Sequence, residues 1–418
     1  SVYLTLFALH IFLVRRSEQE TDKILLAAAI IFRLAFLFSI PSLSDDYFRF
    51  IWDGRMMNMR VNPFTVIPSS FISQTDHQDP LLMQLYADMN SQNYYTVYPP
   101  VCQFVFAFAT WLFPNNLIGS LVVMHGTCIM ADIGTIFLLT KLLQRFQLPK
   151  ENVWWYALNP LVIIELNGNL HFEAVMVFFL LLAIYFLFRG KNNSSHSGEK
   201  LSFKNIFLSG FSYALAICSK LIPLLFLPFV FRRLKWKQNF LFFTIIVVSC
   251  FLLFLPFINQ QLIAGFSSSL DLYFQKFEFN ASIYYIIRWT GFQTVGHNII
   301  DHAGPWLAVV VFILVMALMI SEKKLTALNF FAMMQWSRLI YLLLATTVHP
   351  WYVVPLIMMS VFTGFRFPIV WSLFVILSYS TYQQKPYHEN LLFTAIEYAA
   401  LQFAVVVDLL REKKLAIK

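Results

Sequence analysis

Residues 44 to 55 read Ser-Asp-Asp-Tyr-Phe-Arg-Phe-Ile-Trp-Asp-Gly-Arg, the densest charged and aromatic run in the chain. Wound as a helix, Asp45, Asp46, Arg49, Trp52 and Asp53 share an arc of about 120°, with Tyr47, Phe50, Ile51 and Gly54 opposite. Adjacent carboxylates repel, which raises one apparent pKa and leaves a proton acceptor suited to general-base work. Arg49 and Arg55 are placed to hold a phosphate while that base acts. The same spacing also suits an interfacial helix whose charges are simply solvated.

A second constellation is Glu165-Leu166-Asn167-Gly168-Asn169-Leu170-His171-Phe172-Glu173, a polar turn between two short apolar runs. Ionisable groups near a bilayer centre cost about 2.5 to 3.5 kcal/mol each, so a turn this polar is more than a connection requires. Glu165, Asn167, Asn169, His171 and Glu173 are the group types that recognise sugar hydroxyls, and a solvated turn is the plainer alternative. Glu165, His171 and Glu173 do not follow a recognised metal-ligand spacing, so no metal is expected.

Lys220 falls where two half-length apolar runs meet, a position for a phosphate partner or for a snorkelling amine. His349-Pro350-Trp351-Tyr352 puts a histidine and two rings at an outer helix start, and Phe277-Glu278-Phe279-Asn280 reads as a loop able to cover a substrate. Arg33, Asp132, Arg338 and Glu397 lie inside apolar runs and read as structural pairs facing the bundle. The sequence carries neither a Walker loop nor a Rossmann fingerprint, so ATP is not expected to drive the reaction. The four cysteines (Cys102, Cys128, Cys218, Cys250) stand singly in apolar runs, as core residues do.

The elements that must position these groups are membrane helices. Of 418 residues, 59% are hydrophobic and only 12% charged, with a mean hydropathy of +0.65. Soluble chains are roughly 25% charged, so a soluble enzyme is excluded. The expected fold class is all-α: a polytopic membrane helix bundle forming one domain over residues 1–418. Apolar runs give about 13 spans, near 1–14, 24–40, 117–143, 153–166, 172–189, 206–219, 221–231, 239–257, 304–320, 325–345, 352–366, 368–381 and 391–410. About 21 of the 30 Lys and Arg fall in alternate short loops and the tail, which the positive-inside rule makes cytoplasmic. The net charge of +8 is thus a topology signal, and no nucleic-acid partner is implied. Residues 41–116 and 258–303 become outer loops. Within the first, residues 101 to 113 read as a juxtamembrane helix opened by Tyr98-Pro99-Pro100 and ended by Pro114. Lys191 to Lys200 reads as a flexible cytoplasmic loop, and no signal peptide is visible.

Taken together these residues resemble the C-type (GT-C) integral-membrane glycosyltransferases, close to the polyprenyl-phosphate-mannose-dependent mannosyltransferases. The likeness rests on Asp46-Tyr47-Phe48-Arg49-Phe50 after an early span, Trp52-Asp53-Gly54-Arg55, Val61-Asn62-Pro63-Phe64 and Tyr98-Pro99-Pro100. It continues through Trp155 to Pro160, the 165–173 turn, Lys220-Leu221-Ile222-Pro223 and His349-Pro350-Trp351-Tyr352. The resemblance implies transfer of a hexose, mannose in the nearest members, from a polyprenyl-phosphate donor to an acceptor hydroxyl on the extracytoplasmic face, with inversion. It makes Asp46 the base, while Asp45 is one residue out of the family spacing. Asn169 and Glu173 depart from the commoner Gly-His-x-Asp pattern. The remaining candidates, Asn62, Tyr98, Lys220, Asn280, His349, Trp351 and Tyr352, would contact substrate.

Elementary chemistry agrees with this reading. A lipid-linked phosphosugar needs a groove for its tail, cations at the leaving oxygen and a carboxylate across the anomeric carbon. Arg49, Arg55 and Lys220 are available for the second task and Asp46 for the third. The partners expected are the lipid donor, a glycan, glycolipid or other hydroxyl acceptor, and the bilayer; no cofactor is expected. The membrane expected is the bacterial cytoplasmic (inner) membrane, with the site facing outward. A lipid flippase or secondary transporter would share many of these features, though transporters commonly carry inverted repeats and none is visible here.

Overall fold

The computed structural model describes residues 2–17, 22–74, 79–189, 201–271, 277–383 and 387–417. The stretch from Lys191 to Lys200 lies outside them. The described chain is helical, with a single isolated β-bridge and no strand. In order, α1 (Val2–Arg15), α2 (Asp22–Leu34), α3 (Asp46–Asn58), α4 (Pro68–Gln74), α5 (Pro80–Asp88) and α6 (Pro100–Leu112) lead into the long α7 (Leu117–Arg145). Short α8 (Trp154–Ala157) and α9 (Pro160–Ile163) run into a π-turn at Ile164–Gly168, then α10 (Glu173–Leu187), α11 (Phe203–Ile217), α12 (Leu227–Phe231) and α13 (Trp236–Phe254). The rest is α14 (Leu262–Asp271), α15 (Ile283–Val295), α16 (Ile300–Ser321), α17 (Ala327–Leu344), α18 (Val354–Thr363), α19 (Phe367–Phe374) and α20 (Leu391–Ile417).

Among the described residues, five helices are long and apolar enough to cross a bilayer: α7, α13 with its 3-10 end, α16, α17 and α20. The stretch Pro160–Gly168 plus Glu173–Leu187, bent by 112° at its break, passes the same test only as a pair, as a broken span or a re-entrant loop does. The separate spans expected at 153–166 and 172–189 are thus joined as one broken unit. The expected 206–231 interruption is present: α11 stops at Ile217, a 3-10 turn covers Ile222–Phe226, and α12 follows. Proline at 223 cannot continue a helix from the preceding turn, and proline at 228 sits in the first turn of α12, where no N–H is needed.

Residues 100–112 form one helix, as expected. Pro100 occupies its first turn, and at 13 residues it is shorter than the roughly 20 a span requires. Its partner is α3, which departs from the expected surface helix: Arg49, Phe50, Trp52, Asp53, Gly54 and Arg55 are all buried. The close approach explains it, since a Cβ on Gly54 would collide with the Phe106 carbonyl. Phe50 stacks on Phe106 with ring centres 4.6 Å apart.

Burying α3 requires partners for its charges. Arg49 Nε lies 2.7 Å from Asp53 Oδ1, one turn along the helix, and its NH1 donates to the Ser91 and Tyr94 carbonyls. Asp53 also accepts from Thr96 Oγ1 at 2.5 Å and Gln103 Nε2 at 3.0 Å. Arg55 pairs with Asp79 and donates to the Pro114 carbonyl. Deeper in the bundle, Arg33 Nε meets Asp132 Oδ2 at 2.7 Å, and Tyr156 and Asn167 donate to the same carboxylate. The sequence reads Arg33 and Asp132, with Arg338 and Glu397, as structural pairs; Arg33 and Asp132 do pair, whereas among the described residues no ion pair involves Arg338 or Glu397. Glu397 instead accepts from Trp371 and Asn280, because α20 packs against α19 and the 280 loop.

Candidate active site

The 112° break carries the polar turn inward. Leu170 takes a left-handed backbone (φ 61°), and Glu165, Asn167, Asn169, His171 and Glu173 are all buried. A solvated turn is therefore ruled out. Glu165 accepts from Asn169 Nδ2 at 3.1 Å and from the Tyr379 hydroxyl at 2.9 Å. His171 lies flat on Trp351, ring centres 3.6 Å apart, and Trp351 lies flat on His349 at 4.3 Å. Phe279 continues the stack, held beside His349 by a parallel bridge to Thr347. Burial, with Lys220 nearby, pushes His349 down to about 3, so this imidazole is neutral.

Lys220 joins this turn to the start of α3. Its Nζ stands 3.2 Å from Glu173 Oε1 and 5.3 Å from the centre of the Tyr98 ring. Asp46, half-buried at the first position of α3, accepts a hydrogen bond from Tyr98 and feels the charge of Lys220. Burial raises the proton affinity of Asp46 above the usual carboxylate range. Lys220 and Tyr98 pull it back, while Glu173 and Asp45 add to the rise. Asp45 is exposed.

Beside Lys220 opens a cavity of about 540 Å³ lined by α12, α16 and α17 and the chain leading into them. Leu221, Leu224, Leu307, Val311 and Val315 make its walls apolar, and Glu173, Lys220 and Arg338 are the charged groups that line it. The sequence presented Arg338 as half of a structural pair and not as a site residue. Its NH2 donates to the Tyr352 carbonyl at 3.1 Å, and its guanidinium lies over the Tyr341 and Tyr352 rings. Among the described residues, its buried Nε has no hydrogen-bond partner. A guanidinium beside two rings with donor capacity to spare suits an anion.

Other candidates sit elsewhere. Arg49, Asp53 and Arg55 are engaged in the packing of α3, and Trp52 packs against Phe71 and Tyr86. Asn62 caps its own turn through the Phe64 N–H and ties it to the Phe257 carbonyl. Asn280 (φ 47°) fastens the loop to Glu397, Glu389 and Tyr398. The missed Tyr379 lies in the 3-10 turn Val375–Gln383, where the sequence offers only an apolar run. Among the described residues, no three His, Cys, Asp or Glu side chains gather as metal ligands do.

These features define a polytopic helical membrane protein with a buried polar site at the head of an apolar cavity. Residues 2–234, more than half of the chain, match the alpha-(1->6)-mannopyranosyltransferase family (MptA_B family) over its N-terminal domain, and the chain belongs to that family. It is accordingly a membrane mannosyltransferase. No curated protein and no solved structure matches the chain.

Proposed function

We propose that this enzyme transfers mannose from a polyprenyl-phosphate donor to an acceptor hydroxyl on the extracytoplasmic face, by a single displacement with Asp46 as base. The observation that carries the reading is the contiguity of three things. Asp46 has a raised proton affinity, Lys220 and Arg338 supply positive charge, and an apolar cavity of about 540 Å³ extends from those cations. The cavity takes the near end of the lipid, the cations take the phosphate, and Asp46 takes the acceptor proton.

In the step, the acceptor oxygen bonds to the anomeric carbon as the bond from that carbon to the phosphate oxygen breaks. The electron pair stays on the phosphate and the proton passes to Asp46. Positive charge fixed near the leaving oxygen stabilises the charge that develops there. The family description specifies an alpha linkage, so inversion calls for a β-linked donor. Glu165, Asn169 and His171 supply hydrogen-bonding groups for a hexose, and the ring stack from His171 to His349 fixes the position of His171. No metal enters this scheme, and the outward face of a bacterial cytoplasmic membrane is where a lipid-linked donor of this kind and its acceptor meet.

The test is transfer by purified protein in liposomes from polyprenyl-phosphate mannose to an alkyl α-mannoside. An α-linked product from a β-linked donor supports the scheme. An α-linked product from an α-linked donor overturns it, as does transfer only from a nucleotide sugar.

A further inference from the structure

The charged groups lining the cavity are two cations and one carboxylate, and the carboxylate is unusually placed. Glu173 is fully buried, and its close ionic partner among the described residues is Lys220, at 3.2 Å. Among the described residues, Lys220 is the one donor close to its oxygens. Arg338, which also lines the cavity, lies within electrostatic reach of it. A buried carboxylate normally collects two or three donors, as Asp132 and Asp53 do here, so leaving one undersatisfied between two cations weakens the bundle. Its presence sets the charge of the cavity lining at +1, where Lys220 and Arg338 alone would make +2. Asp46 acts on Lys220 as well but does not line the cavity.

Resting on the donor chemistry proposed above, we infer that Glu173 is a specificity-determining residue that matches the cavity to a singly charged phosphodiester and drives out the doubly charged product. The donor is a phosphodiester with one negative charge. Transfer breaks its bond to the anomeric carbon and leaves a phosphomonoester, which carries about −1.5 to −2 near neutral pH. A +2 cavity would hold that product more tightly than the donor, and turnover would stall. With Glu173 ionised beside Lys220, the extra charge of the product meets repulsion from a carboxylate, so donor is preferred and product leaves. The same rule disfavours pyrophosphate-linked donors, which bring more than one charge.

The experiment measures, in proteoliposomes, the donor KM and the inhibition constant for added polyprenyl phosphate. In Glu173→Gln the ratio of inhibition constant to donor KM should fall about tenfold or more, the scale of one unit charge at close range in a partly buried site. Glu173→Asp should restore the ratio towards wild type, which a purely structural role would not do. Arg338→Met, tested independently, should move the ratio the other way. An unchanged ratio in Glu173→Gln overturns the inference. Should Glu173→Gln fail to fold, the Arg338→Met ratio decides in its place, an unchanged or lowered value overturning the inference. A wild-type enzyme that neither uses polyprenyl-phosphate mannose nor is inhibited by polyprenyl phosphate overturns the donor reading itself, a result distinct from loss of the charge rule.

Discussion

The Tyr379 hydroxyl lies 2.9 Å from Glu165 Oε2, although 214 residues separate the two in sequence. This contact ties the 3-10 turn near the last helix to the bent span that carries the polar face. In Tyr379→Phe, Glu165 loses this donor and, among the described residues, keeps Asn169 and, at 3.5 Å, the His171 ring. The cost should be about 1 to 3 kcal/mol, read as a lower melting temperature of the purified protein in detergent. A melting temperature equal to wild type would show that the contact contributes nothing.

Asp46→Asn should leave the fold intact and reduce transfer by about 10² to 10⁴, since the amide keeps the shape but cannot take a proton. Circular dichroism and turnover on the same preparation separate the two properties. Turnover near the wild-type level would remove Asp46 from the role of base.

The acid limb of the rate profile should move in opposite directions in two variants. A general base works when deprotonated, so activity falls as pH drops through its pKa. Asp45 raises the proton affinity of Asp46, so Asp45→Asn should shift the limb to lower pH; Lys220 lowers it, so Lys220→Met should shift the limb to higher pH. Turnover at saturating donor, followed from about pH 4 to 8, gives both shifts. Identical limbs in all three proteins would assign the titration to another group.

Arg49→Met should act on stability rather than on donor affinity. It strands Asp53 beside Thr96 and Gln103, and breaking one side of a buried pair typically costs about 3 to 5 kcal/mol. The sequence offered Arg49 as a phosphate contact; its engagement with Asp53 predicts a lower melting temperature and an unchanged donor KM in whatever protein remains folded. A raised KM with no loss of stability would return Arg49 to the phosphate.

Much of the architecture could be read from local pattern. The helix from Asp46, the proline-opened helix at Pro100, the long span from Leu117 and the break around Lys220 each follow from residues within one or two turns. Distant contacts could not be read that way. Hydropathy presents Arg338 as a charge inside an apolar run; its role depends on Tyr352 and on the cavity between α16 and α17. The burial of α3 depends on Gly54 meeting a helix some fifty residues later. The expected number of spans exceeds the helices that reach full length because a broken span and a short apolar helix both look like crossings in one dimension.

Cysteine labelling tests the sidedness of the first outer loop. With the native Cys102, Cys128 and Cys218 buried, new cysteines at Ser70 and Lys150, both exposed, should react with an impermeant reagent from opposite sides of the membrane. Reaction of both from one side would invert the arrangement of the basic loops.

The three charges around the cavity come from three separate segments, at 173, 220 and 338. If their sum is what the donor senses, sequence drift among relatives is constrained jointly. A relative that has lost the acid at the position of Glu173 should also have lost a base at one of the other two, or should have changed the charge of the lipid it uses. Compensating pairs of this kind would be visible in sequences alone.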